Sequence, residues 1–174
     1  MDLTFERGIN TTNEWYTPPN IIRSLGEFDL DPCTSEIAYS LNKSAKCYYT
    51  KDDDGLSREW FGRVWLNPPY SNPTIYHFLE KMAAHNNGIA LLFNRCDNKM
   101  FRDIIFPNAD SIFFLSGRIH FFREDGKKGG QPGCGSIFVA FGDENTKSIL
   151  KSGLKGELMI PYKRKKIGIQ QQLF

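Results

Sequence analysis

Asn67-Pro68-Pro69-Tyr70 closes the apolar run Val64-Trp65-Leu66 and is the stretch best equipped for chemistry. The run has the residues of a strand. Neither proline can donate a backbone hydrogen bond, and each biases the residue before it toward an extended conformation. The strand must therefore stop at Asn67 and leave a stiff polar turn at its carboxyl end, where open α/β sheets bind ligands. Asn67 brings a side-chain carbonyl acceptor, and the prolines leave neighbouring carbonyls without local amide partners. Tyr70 adds a flat aromatic face. Acceptors beside an aromatic platform suit a planar amino-bearing group, such as the exocyclic amine of adenine.

A second polar strand end lies upstream. Phe28-Asp29-Leu30-Asp31 reads as a short strand running into Pro32-Cys33-Thr34-Ser35. A carboxylate there can hold hydroxyl, amino or cationic groups; the plain alternative, favoured by spacing alone, is that Asp31 or Ser35 caps the next helix. The acidic turn Lys51-Asp52-Asp53-Asp54-Gly55-Leu56 is either a solvated loop or a carboxylate placed on a ribose. Cys33, Cys47, Cys96 and Cys134 are far apart, with no C-x-x-C pair and no nearby histidine cluster, which argues against a zinc site and a disulfide framework.

The elements that must position these residues alternate. Thr17 is a good N-cap with Pro18 at the first helical position, ahead of a stripe of Ile21, Ile22 and Leu25 closed by Gly26. Trp15 is either a hydrophobic staple or ligand-facing. A weak helix over 36–45, a strand over 46–50, one helical turn over 56–60 and the central strand over 63–67 follow. Ile75, Phe78, Leu79, Met82 and Ala83 recur at helical spacing after a cap at Ser71 or Asn72, with Asn86-Asn87-Gly88 at the end. Ile89 to Phe93 is continuously apolar, as in a strand buried on both faces. It ends in Asn94-Arg95-Cys96-Asp97, and Asp97 or Asn98 caps a helix stopped by Pro107. Residues 111–115 read as a strand. Residues 118–122 and 136–141 read as a hairpin joined by a mobile, glycine-rich loop. A last short helix spans 145–152.

The pattern predicts an α/β protein, a mostly parallel sheet with helices on both faces and a late antiparallel hairpin, compatible with class I methyltransferase architecture. The 174 residues suit one domain, with an irregular arm over 1–13 and a basic, glutamine-rich tail over 161–174. A net charge of +2 is too weak to announce a nucleic-acid partner, and no apolar run approaches a membrane span or a signal peptide. A cytoplasmic location is therefore expected.

Taken together, Asn67-Pro68-Pro69-Tyr70, Glu14-Trp15-Tyr16-Thr17-Pro18-Pro19, Leu30-Asp31-Pro32-Cys33 and Asp54-Gly55-Leu56 resemble the phage-type DNA N6-adenine methyltransferases, as do Arg95-x-Asp97, Gly117-Arg118 and residues 136–141. The resemblance spans roughly residues 13–142. It implies S-adenosylmethionine as methyl donor, adenine in double-stranded DNA as acceptor, a Rossmann-like fold and a phage or prophage origin in a bacterial cell. Carried over residue by residue, Asn67 and the Pro68 carbonyl accept hydrogen bonds from the adenine amine, with Pro69 stiffening the corner and Tyr70 stacking on the base. Trp15, Thr17, Pro18, Asp31, Pro32 and Cys33 line the cofactor pocket, and Asp54 or Asp53 takes its ribose or adenine. Arg95, Asp97, Arg118, Arg123, Lys127 and Lys128 are the candidate DNA contacts, with Lys163 to Lys166 a second basic cluster. No metal and a monomer are expected. The first loop lacks the usual Gly-x-Gly, and only about 36 residues separate Asp31 from Asn67, so a strand and helix of the common layout are expected to be missing. Cytosine N4, a protein glutamine amide, or a catalytically silent DNA-binding role remain alternatives.

Overall fold

The central run does form a strand, β3 (Val64–Leu66), with Trp65 turned to one face and Val64 and Leu66 to the other. The structure is a computed structural model that describes residues 16–123, 125–129 and 132–162. Around β3 lies a seven-stranded sheet in the order β2-β1-β3-β4-β6-β5-β7. Its strands are β1 (Leu30–Asp31), β2 (Cys47–Tyr48), β4 (Gly88–Phe93), β5 (Ser111–Leu115), β6 (Ser136–Phe141) and β7 (Gly156–Met159). β2, β1, β3 and β4 run parallel, with Leu30 opposite Val64 and Val64 opposite Gly88. β6 is antiparallel to both β4 and β5, and β7 is antiparallel to β5. β5 therefore points the same way as β4.

Both faces of the sheet are covered. On one side α3 (Thr74–His85) and a π-helical turn (Phe101–Ile105) that runs into α4 (Phe106–Asn108) bury Leu79, Met82, Phe101 and Ile105 against Leu66, Ala90 and Leu92. On the other, α1 (Pro19–Ser24) and α5 (Asp143–Lys151) bring Ile22 and Ile149 against Trp65, Ile89 and Leu91. Aromatic rings continue across this second face: Phe28 lies 5.5 Å from Trp65, Trp65 6.4 Å from Phe138, and Phe138 6.4 Å from Phe113. Such pairs add about 0.5–1.5 kcal/mol each beyond area burial. At the β3–β4 junction only glycine fits, because a Cβ on Gly88 would come within 2.2 Å of the Val64 carbonyl oxygen. The helix α2 (Glu36–Asn42) starts at Ser35, whose hydroxyl accepts from the Ala38 amide at 3.2 Å.

Several expectations need correction. The sheet is divided evenly between parallel and antiparallel pairings rather than mostly parallel. β6 pairs with β5; residues 118–122 contribute only two isolated bridges at Phe122, to Tyr16 and to Lys128. The apolar character of Ile119 and Phe121 reflects burial against the sheet, not a ladder. Within the segment read as a loop, the Arg123 amide donates to the Lys127 carbonyl and the Gly129 amide to the Phe121 carbonyl. Residues 51–57 form turns, with no helical turn over 56–60. Thr17 does not cap α1; the cap position falls on Pro18, and the helix starts one residue later. Strand β7 lies between the last expected helix and the tail over 161–174, in a segment given no element from sequence. Trp15 and Lys163 to Lys166 lie outside the described residues.

Candidate active site

The chain leaves β1 toward β2 on one side and later places β3 and β4 on the other, so the order reverses between β1 and β3. Ligand crevices of open α/β sheets form at such reversals, beyond the carboxyl ends of the strands. The pairing of Leu30 with Val64 sets Asp31 and Asn67 at the same edge. A cleft of about 490 Å³ opens there, walled by Thr17, Asp31, Pro32, Cys33, Asp54, Asn67, Pro68, Pro69 and Tyr70 among others. That size is within the range of ligand pockets, roughly 300–1,000 Å³.

Asp31 forms the buried end of β1. Its Oδ2 accepts from the Ser44 hydroxyl at 2.5 Å and its Oδ1 from the Cys33 amide at 3.3 Å. Burial pushes its carboxyl up to about 6, and these two hydrogen bonds pull against that rise. The Cys33 thiol donates to the backbone carbonyl of Asn67 at 3.5 Å, tying the loop after β1 to the loop after β3. Burial pushes this thiol well up and the neighbouring Asp31 charge adds to the effect, so it stays protonated. A neutral thiol is a poor nucleophile and serves here as a linker.

The Asn-Pro-Pro-Tyr corner presents two kinds of surface. Pro68 is buried and Asn67 half-buried, whereas Pro69 and Tyr70 are exposed. Tyr70 exposes 39% of its surface, yet its hydroxyl points inward and accepts from the Phe93 amide at 2.8 Å. That burial raises the phenol pKa, while the Phe93 hydrogen bond and the Arg95 charge lower it. The ring stacks on Phe93, centroids 4.5 Å apart and 29° between planes. One face of the ring is thus backed by protein.

The acidic turn is pressed onto the loop after β1. A Cβ at Gly55 would fall 1.9 Å from the Pro32 carbonyl oxygen, so only glycine allows the approach. The Gly55 carbonyl accepts from the Trp60 indole at 2.7 Å, and Lys81 Nζ donates to the carbonyls of Leu56 (2.7 Å) and Arg58. Asp54 faces the cleft. The Asp53 carboxylate turns back to accept from the Thr50 amide and hydroxyl, each at 2.8 Å, which holds its pKa down.

A model of the DNA N-6-adenine-methyltransferase (Dam) family matches residues 8–159. The chain belongs to this family. A DNA N-6-adenine-methyltransferase of Escherichia phage T1 is 38% identical over 99 residues, a stretch covering 49% of this chain and 39% of that relative. The chain thus aligns with less than half of the relative's length. No solved structure matches the chain.

Within this family member, the structure gathers most of the sequence-predicted site residues into one wall and sets others apart. Pro18 is buried at the start of α1 and Asp53 is folded away; neither is part of the cleft wall. Arg95 and Asp97 are exposed on the loop after β4, where the Asn94 amide donates to the Gly135 carbonyl. Arg118 follows β5 and donates to the Pro132 carbonyl. Arg123 is hydrogen-bonded to Lys127, and Lys128 bridges to Phe122, which is joined to Tyr16 through reciprocal backbone bonds. Arg95, Asp97 and Arg118 follow the carboxyl ends of β4 and β5, on the side of Asn67, and none of the six lines the cleft. Residues not anticipated from sequence also line it, notably Tyr16, Asn42, Lys51 and Phe78. Phe78 carried only a helix-core signal, and Asn42 sits at the end of α2 with no motif to mark it. The hydroxyl of Thr17 and the amide oxygen of Asn42 are buried with no hydrogen-bond partner. Among the described residues no group of His, Cys, Asp and Glu could hold a metal ion, and no helix is long and apolar enough to cross a membrane.

Proposed function

We propose that the chain transfers a methyl group from S-adenosylmethionine to the N6 amine of adenine in DNA, with the target base turned out of the duplex onto Asn67-Pro68-Pro69-Tyr70. The observation that carries this reading is the shared wall: Asn67 and Tyr70 face the same cleft as Asp31, at the reversal between β1 and β3. Family membership supports it. The sheet order supports a Rossmann-like class I layout shortened by one strand beyond β2.

The cleft's chemistry fits the donor. Its β1 wall is rich in oxygen acceptors (Asp31, Thr17, Asn42 and Asp54), suited to a ligand carrying an ammonium, ribose hydroxyls and an adenine amine. Those residues, with Pro32 and Cys33, hold it in this reading. Bound there, S-adenosylmethionine supplies an electrophilic methyl group on a sulfonium.

The remaining steps belong to the chain. The exocyclic amine of adenine is a poor nucleophile because its lone pair is delocalised into the ring. The Asn67 side-chain oxygen and the Pro68 carbonyl accept hydrogen bonds from its two N–H groups and favour the geometry in which the lone pair is localised; after methyl transfer one of these protons leaves to solvent. These contacts strengthen as positive charge develops on nitrogen, so they favour the transition state over the ground state. The Cys33 hydrogen bond to Asn67 fixes that corner relative to the donor's wall. Extruding the base costs a few kcal/mol, and stacking on Tyr70 returns on the order of 1–3 kcal/mol. Arg95, Arg118, Arg123, Lys127 and Lys128 hold the flanking phosphates, with Asp97 beside them.

The test is incubation with methyl-labelled donor and duplex DNA, RNA or protein, followed by digestion of the labelled product. Label recovered as N6-methyladenine from DNA is the expected result. Label in N4-methylcytosine or in protein, or none in any acceptor, would overturn the proposal.

A further inference from the structure

Three buried side-chain oxygens among the described residues lack hydrogen-bond partners: Thr17 Oγ1, Asn42 Oδ1 and Ser136 Oγ. Thr17 exposes 1% of its surface and Asn42 4%. Such atoms lower the stability of a fold, and an apolar side chain of similar shape in their place is neutral or stabilising. Two of the three stand in the wall of the one cleft described above, while Ser136 stands in β6, outside it. Thr17 immediately precedes the first turn of α1 and Asn42 is the last residue of α2, and these two helices touch. The Asp31 carboxylate, also on this wall, already receives Ser44 and Cys33. The buried side-chain acceptors on that wall without a partner are thus Thr17 and Asn42.

We propose that Thr17 and Asn42 form a recognition pair for an N–H or O–H group on the non-reacting part of the methyl donor, held on the β1–α2 wall across from the Asn67 corner. The proposal rests on the functional reading above and narrows its donor wall to the two residues that select the donor. A hydroxyl and a carbonyl oxygen suit an ammonium, an amine or a ribose hydroxyl and leave a purely apolar ligand with nothing to pair. Neither residue touches the reacting atoms, so the pair acts on donor affinity rather than on the rate of transfer from a saturated site.

The test compares the full-length protein with Thr17→Val, Asn42→Leu and, as a control outside the cleft, Ser136→Ala. Calorimetric titration with S-adenosylhomocysteine and with adenosine reads affinity without turnover, and thermal melting reads the ligand-free fold. Thr17→Val and Asn42→Leu are each expected to weaken S-adenosylhomocysteine binding roughly tenfold or more without lowering the ligand-free melting temperature. Ser136→Ala is expected to bind as the unsubstituted protein does. A loss that also appears with adenosine assigns the pair to the nucleoside half; a loss confined to S-adenosylhomocysteine assigns it to the aminoacyl half. Unchanged affinity in Thr17→Val, which is nearly isosteric and tests the idea even if Asn42→Leu fails to fold, would overturn the proposal. A lowered ligand-free melting temperature with affinity intact would do the same by marking a structural role. Absence of binding by the unsubstituted protein would instead bring down the functional reading itself.

Discussion

The two halves of the sheet are built differently. β1 and β2 have two residues each and β3 has three, whereas β4 and β6 have six and β5 five. β1 ends in Asp31 and Asn67 follows the last residue of β3, and the pairing of these short strands does little more than align the two. The long antiparallel strands are the larger apolar block: every residue of β6 is buried, and β4 is buried up to Phe93. Phe93 is where the halves meet, since its amide and its ring both support Tyr70. The difference separates a foundation, insulated from solvent and held by packing, from a working edge held by a few specific hydrogen bonds.

That division can be broken from either side. The largest effect is expected in the foundation: Phe138→Ala, between Trp65 and Phe113, should lower unfolding free energy by about 3–5 kcal/mol in a urea titration. A cost under 1 kcal/mol would mean that β6 is not the foundation. At the working edge, Asn67→Ala should leave stability and S-adenosylhomocysteine affinity nearly intact while lowering turnover on the order of 10²–10³-fold, the scale for one transition-state hydrogen-bond partner. Unimpaired turnover would remove Asn67 from the proposed mechanism.

Asp31 makes the working edge sensitive to pH. Its carboxyl rises from an ordinary 3.8 to about 6 on folding, so between those values the native state holds more proton than the unfolded chain. Its contribution to stability is complete below about pH 4 and is lost as pH rises through 6, by about 3 kcal/mol in all. Denaturation between pH 4 and 7 should show that fall superposed on other titrations, and Asp31→Asn should remove it. An identical profile in the variant would place the effect elsewhere. The smallest effects are expected at the exposed turn. Lys127→Ala and Lys128→Ala should change stability by less than about 0.5 kcal/mol. Each should flatten the dependence of DNA affinity on log salt by about one. An unchanged slope would make these lysines solubilising charges.

Much of the site was legible because it is local. Two prolines after Asn67 end a strand whatever surrounds it, and Asn86, in the left-handed conformation at φ +53°, ends α3 where the sequence indicates. Gly55 belonged to a recognised motif, but its reason, contact with the Pro32 carbonyl from another loop, is a packing fact. Asp53 and Asp54 are chemically alike in the sequence; one turned back onto Thr50 and the other faced the cleft. Residues 118–122 looked like a strand because burial on a sheet and pairing within it draw on the same apolar residues.

By itself the sequence determined the polar ends of the strands, the chemistry of the Asn-Pro-Pro-Tyr corner and the periodicity of α3 and β4, because backbone sterics and side-chain spacing act over a few residues. Only the tertiary structure decided that β6 lies between β4 and β5, that Asp31 is buried deeply enough to raise its pKa, and that Thr17 and Asn42 come to one cleft. Desolvation, strand order and orphaned polar atoms depend on which distant segments exclude water together, and no local pattern encodes that.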